Sequence, residues 1–160
     1  MPKTAKEKLI EQSKKLPRIV QIPNKMEKRF GKGKMLIPRP LDIDAIIRKV
    51  KKGRLITQEK IREILAKKFK VKVTCPITTG IFVRICAEAA EEDKKSGKKR
   101  ITPWWRVVKA DGNLNPKFPG FPKLQSDYLK KEGFTILPSE NKKPSKVKDF
   151  ERYLWKGEIN

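Results

Sequence analysis

Apolar residues recur at helical spacing through the middle of this chain. Ile43, Ile46, Ile47 and Val50 fall at i, i+3, i+4 and i+7, one face of a helix that Gly53 should stop. Thr57 then supplies an N-cap, and Ile61, Ile64, Leu65 and Phe69 turn a second helix inward. After a brief extended link, Val71 to Thr74, Pro76 with Thr78 or Thr79 opens a third helix. Its apolar stripe is Ile81, Phe82, Ile85, Cys86, Ala89 and Ala90. Glu88, Glu91, Glu92 and Asp93 make its distal end acidic, so only its start suits phosphates.

The flanks are less periodic. Thr4 and Glu7 form a capping-box pattern for a helix over residues 4–15. Leu16 to Pro40 carries Pro17, Pro23, Pro38 and Pro40 around a Gly-Lys-Gly, with basic residues throughout. It reads as an extended basic arm, with one short strand at Lys34 to Ile37. Beyond the third helix come a basic loop, Lys94 to Arg100, a β-segment containing Trp104 and Trp105, and an Asp111-Gly112 turn. A proline-rich loop, Asn113 to Pro122, leads to a short helix ending at Gly133 and a strand at Phe134 to Leu137. Phe150, Tyr153, Leu154 and Trp155 would dock as a short amphipathic helix within the basic tail.

Three successive helices followed by β-segments describe an α+β fold, mainly helical: a winged helix-turn-helix whose third helix enters a groove. The expected division is a basic N-terminal extension over 1–39, the winged domain over 40–137, and a basic C-terminal tail over 138–160.

Charge narrows the partner. The 160 residues hold 41 Lys+Arg against 18 Asp+Glu, a formal net charge of +23. Such an excess repels itself unless a polyanion shares it, and phosphate neutralisation drives binding through counterion release. Nucleic acid, foremost double-stranded DNA, is the expected partner of a monomer; charge-driven solubility is the plainer alternative. No apolar run is long enough for a membrane span and no secretory leader is visible. The expectation is an intracellular protein, of cytoplasm or nucleoid in a prokaryote. Cys75 and Cys86, without a single histidine, leave little for redox or metal chemistry, and no cofactor or metal is expected. The missing histidine also removes the commonest general base at neutral pH.

The segment Pro103-Trp104-Trp105-Arg106, followed by Val107 to Gly112, carries the most specific signal. It resembles the active-site signature of alkylguanine-DNA alkyltransferases, where Pro-Cys-His-Arg precedes a β-segment and turn. Trp104 stands at the acceptor cysteine and Trp105 at its activating histidine. Indole is neither thiolate nor base, so alkyl transfer is excluded at this site. The closer resemblance is to the alkyltransferase-like proteins, which carry Trp at the cysteine position and bind alkylated DNA without repairing it. It covers roughly residues 40–137.

That resemblance implies a set of site residues. Gly53 to Thr57 matches the step into the first helix of the helix-turn-helix, with Gln58 where the family has a nucleotide-rotating tyrosine. Pro76 to Gly80 matches the start of the recognition helix, with Gly80 where the family inserts an arginine into the base stack. Base flipping costs a few kcal/mol of unstacking, which a glycine cannot offset. Thr57, Gln58, Thr78, Thr79, Gly80, Arg84, Lys98, Lys99 and Arg100 are the expected nucleic-acid contacts. Pro103, Trp104, Trp105, Arg106, Phe118, Pro119 and Gly120 are the expected lining of a base pocket, in which Trp104 would stack on an extruded base. Glu132 sits where the family's relay ends and could accept a hydrogen bond from the Trp105 indole. The implied function is lesion recognition without repair; the sequence does not reveal whether a downstream repair factor is a further partner. The alternatives are a winged-helix architectural or regulatory DNA binder without lesion specificity, and an RNA-binding module.

Overall fold

The structure, a computed structural model, describes residues 3–138 and 145–157. Its elements run α1 (Ala5–Lys15), β1 (Arg18–Gln21), α2 (Asn24–Phe30), β2 (Lys34–Ile37), α3 (Pro40–Lys49), β3 (Ile56–Thr57) and α4 (Gln58–Lys68). There follow β4 (Val73–Thr74), α5 (Pro76–Lys95), β5 (Val107–Val108), α6 (Lys123–Lys131), β6 (Ile136–Leu137) and β7 (Lys146–Val147). This is the α+β, mainly helical class, with α3, α4 and α5 in the succession a winged helix-turn-helix requires.

Helix α5 is the spine. Thr79, Phe82, Val83, Ile85, Cys86, Ala87, Ala89 and Ala90 are buried, so it is covered on most of its circumference. Its alanines let α1 and α3 approach closely, and both pack along it. From the expected apolar stripe Ile81 is the exception: it is exposed, in line with Ile77 and Arg84 at i, i+4 and i+7. Val83 and Thr79 take the buried places instead.

Leu16 to Pro40 does not form an extended arm: it holds β1, α2 and β2. Strand β2 pairs antiparallel with β1 and parallel with β4, giving a three-stranded sheet in the order β1-β2-β4. Neighbouring residues of β2 point to opposite faces. Leu36 enters the main core, and Met35 joins Ile22, Val73 and Cys75 in a second, smaller cluster. The pairing with β4 ties this unit to the turn between α4 and α5. Helix α1, capped by Thr4 as its sequence predicts, buries Leu9 in the main core.

The acidic end of α5 is spent on structure. Glu92 accepts the Ala5 and Lys6 backbone amides at 2.8 and 3.1 Å and so caps α1. Asp93 bonds Lys6 at 2.8 Å; burial opposes its ionisation, but the Lys6 and Lys98 ammoniums prevail and hold it below the usual carboxylate range. At the other end of the chain, Phe150–Tyr153 forms a single 3-10 turn, with Phe150 buried. The chain on either side of it is tied down by β6–β7 pairing and by Leu55, which bonds Tyr153 and Trp155 at 2.9 and 2.7 Å. Residues 139–144 and 158–160 of the expected tail lie outside the described residues.

Candidate nucleic-acid interface

Trp104 to Arg106 forms a 3-10 turn rather than a β-segment, and this changes where the two indoles go. Adjacent strand residues would diverge; here both rings are buried on one side, 6.2 Å apart and nearly perpendicular. Trp104 is 0% exposed, edge-on to Phe118 at 5.2 Å and to Tyr128 at 5.7 Å. Its indole N–H donates to Glu91 Oε2 at 3.0 Å, and that oxygen also accepts from the Tyr128 hydroxyl at 2.9 Å. Burial raises the Tyr128 pKa above its ordinary value, opposed by Lys94 and reinforced by Glu91. The expected base pocket lined by Pro103, Trp104, Trp105 and Phe118 is therefore filled by its own side chains. A ring with no exposed surface offers no face to a base.

Glu132 organises the floor of this cluster. It accepts the Trp105 indole N–H at 2.6 Å, Arg106 Nη2 at 2.8 Å, Arg106 Nε at 3.1 Å and the Gly53 amide at 3.0 Å. Burial would raise the pKa of this carboxyl, but Arg106, Gly53 and Trp105 together hold it below the usual range. Arg106 spends its remaining reach on the Val50 carbonyl at 2.6 Å. It thus organises the segment by joining Glu132 to the Val50 carbonyl. Trp105 stacks on Tyr128 with centroids 4.2 Å apart and planes 10° from parallel.

A different surface is open. The starts of α4 and α5 and the loop after β5 enclose a groove of about 450 Å³. Gln58 lies at the first position of α4, behind its cap Thr57, whose hydroxyl accepts the Lys60 amide at 3.1 Å. Pro76, Ile77, Gly80, Ile81 and Arg84 come from the outward stripe of α5. Lys109, Asn115 and Lys117 close the other wall. Ile77 is 57% exposed and Ile81 45%. Helix N-termini carry partial positive charge, and here two of them share a groove with three cationic side chains. No carboxylate is among the described residues that line it, though Glu88 pairs with Arg84 from one turn along at 3.5 Å. Gln125 fixes the loop wall: its amide donates to the Trp105 and Val107 carbonyls and its oxygen accepts the Asn115 amide.

No family model and no curated protein matches the sequence. Among solved structures, the chain is similar to S. pombe Atl1 in complex with damaged DNA containing O6-carboxymethylguanine. The likeness covers 73% of this chain and 94% of that one, at 18% identity and a TM-score of 0.49. At that level it is remote, and the geometry above stands on its own.

Of the expected contacts, Gln58, Gly80 and Arg84 come together in the groove. Thr79 does not, because it is fully buried and its hydroxyl bonds the Cys75 carbonyl at 2.7 Å. Thr78 is half-buried with its hydroxyl on Cys75 Sγ at 3.0 Å. Lys98, Lys99 and Arg100 are exposed, but they follow the far end of α5, whose 20 residues span about 30 Å at 1.5 Å each. Pro119 is half-buried and Gly120 exposed, beside buried Phe118. Sequence reasoning misses Ile77, Ile81, Lys109, Asn115 and Lys117. The i, i+4, i+7 stripe of Ile77, Ile81 and Arg84 is the available signal for the first two; the loop residues carry none.

Proposed function

We propose that this protein binds double-stranded DNA without performing chemistry on it, seating the duplex against the groove between the starts of α4 and α5. The convergence of two helix N-termini with Arg84, Lys109 and Lys117 in one groove, with no carboxylate among the described residues lining it, carries the reading. A helix start presented beside a basic loop suits the wide major groove of B-form DNA, whereas the deep, narrow groove of duplex RNA excludes a helix. Ile77 and Ile81 add apolar surface for base edges or a thymine methyl. The absence of chemistry follows from Trp104 and Trp105 at the acceptor and base positions. Cys75 and Cys86 do not replace them: both are buried, and burial pushes the Cys86 thiol well up. With its aromatic cluster closed, the protein acts as an architectural or regulatory binder, and damage sensing would require Trp104 and Phe118 to part.

Fluorescence anisotropy with a labelled duplex tests this. Replacing Arg84, Lys109 and Lys117 by Gln should weaken binding and flatten the salt dependence, by about 0.9 in log–log slope for each phosphate left unneutralised. An unchanged affinity and slope would remove the groove from the interface. Duplexes with and without an O6-alkylguanine should bind equally at matched salt. A clear preference for the modified duplex would instead establish lesion recognition.

A further inference from the structure

We infer a second nucleic-acid site on the opposite side of α4, so that one copy of the protein bridges two DNA duplexes. The inference rests on the duplex-binding reading of the first groove. Lys49, Lys60, Lys67, Lys68 and Lys156 surround a cavity of about 680 Å³, with Glu63 the one carboxylate among the described residues that line it. At about 100° per residue, Lys60, Ile64, Lys67 and Lys68 lie roughly 180–280° around α4 from Gln58. Gln58 faces the first groove, so a duplex seated there leaves the lysine face uncovered.

This face is assembled from three separated stretches of chain. Lys49 ends α3, Lys60, Glu63, Ile64, Lys67 and Lys68 come from α4, and Lys156 arrives from the C-terminal segment. Leu55 pins that segment through its bonds to Tyr153 and Trp155. Gly157 then lies so close to α4 that a Cβ there would stand 3.0 Å from Lys60 Cε and 3.2 Å from Ile64 Cδ1, at a φ of +75°. Lysines in the last turns of α3 and α4 have an ordinary use, complementing the helix dipoles. Lys60 and Lys156 have no such duty. Among the described residues Lys60 reaches only Glu63, at 3.3 Å, which leaves the cavity strongly positive. Like charges held this close repel, and a phosphate backbone relieves the repulsion. Past Lys156 the face continues to Arg54 and Arg152, two cations against the single carboxylate Glu151, beside half-exposed Trp155. That extent fits a run of phosphates better than a single small anion.

The test counts duplexes per protein. With 20-base-pair duplexes in excess, sedimentation analysis should give two duplexes per protein chain. A bead-bound duplex should capture a free fluorescent one only when the protein is present. Charge reversal at Lys67, Lys68 and Lys156 should reduce the count to one and capture at least tenfold. Replacing the same three lysines by Gln provides a milder variant, and equal melting temperatures confirm folding. One duplex per wild-type chain would overturn the inference while leaving the first groove intact. Undiminished capture by a folded far-face variant would also overturn it, because paired copies would then bridge through the first groove. A wild-type protein that binds no duplex would overturn both readings.

Discussion

Replacing Glu132 by Ala should be among the most damaging single changes in this protein. The Glu132 and Arg106 side chains are 7% and 13% exposed, and the carboxylate also satisfies Trp105 and Gly53. Truncation leaves a largely buried guanidinium without its counter-ion and two N–H groups without acceptors. Removing one partner of a buried ion pair costs about 3–5 kcal/mol. Arg106 keeps the Val50 carbonyl and some solvent, which places the loss near ~3 kcal/mol. At about 2–4 °C per kcal/mol for a chain of this size, melting should fall by ~6–12 °C. Glu132→Gln keeps the shape and one acceptor oxygen, so it should cost less. The pH dependence has a definite sign. Glu132 is lowered in the folded state, so its contribution is full above the unfolded glutamate pKa of about 4.3 and fades as pH falls through the folded value. The melting gap between wild type and Glu132→Gln, followed by circular dichroism, should therefore narrow between pH 7 and about pH 3. An alanine variant melting within about 2 °C of wild type, or a gap independent of pH, would refute this account.

Two glycines should respond in opposite directions. A Cβ at Gly80 would meet only Gln58 Oε1, at 3.8 Å, within an otherwise regular helix. Gly80→Ala should therefore stabilise the fold by about 0.5–1 kcal/mol, read as a rise of a few degrees in melting temperature. Gly112 sits at φ +83°, and a Cβ there would lie 2.3 Å from Phe150 Cδ1. Gly112→Ala should lower the melting temperature by several degrees and free the C-terminal segment, measured as faster amide exchange at Val147, which bonds Gly112 O at 3.0 Å.

What the sequence makes legible is set by local periodicity. The spacing of Ile43, Ile46 and Ile47 and the cap at Thr57 locate α3 and α4, because helical faces and caps are written within a few residues. The sheet built by residues 18–37 stays hidden, except for the strand at Lys34–Ile37. Its pairing depends on Val73 and Thr74, far along the chain, and its strands alternate with lysines that mimic a solvated arm. The Trp-Trp segment is legible as a motif but not as geometry. A 3-10 turn in place of a strand turns both indoles the same way, and no pattern in four residues encodes that choice. The expectation that Glu132 accepts from Trp105 agrees with the bond observed at 2.6 Å. The lysine face of α4 is invisible in the sequence because Lys156 joins it only through the docking of the chain end.

The closed aromatic cluster and the open groove are mechanically one unit. Gln125 donates to the carbonyls of Trp105 and Val107 and accepts from the Asn115 amide, so the indole segment and the groove wall share one buried side chain. The wall then builds outward by short bonds: Lys117 N–H to Asn115 Oδ1 at 2.9 Å and Lys109 N–H to the Asn113 carbonyl at 3.0 Å. Filling the interior with Trp104, Trp105, Phe118 and Tyr128 removes a recess but gives this rim a rigid support. A loop carrying Lys109 and Lys117 over an empty cavity would lose affinity to the entropy of ordering it on DNA. Packed against indoles, it presents its charges already in place. On the proposed reading, the bulky pair at 104 and 105 would contribute to duplex binding through the rim it holds rather than through a stacked base.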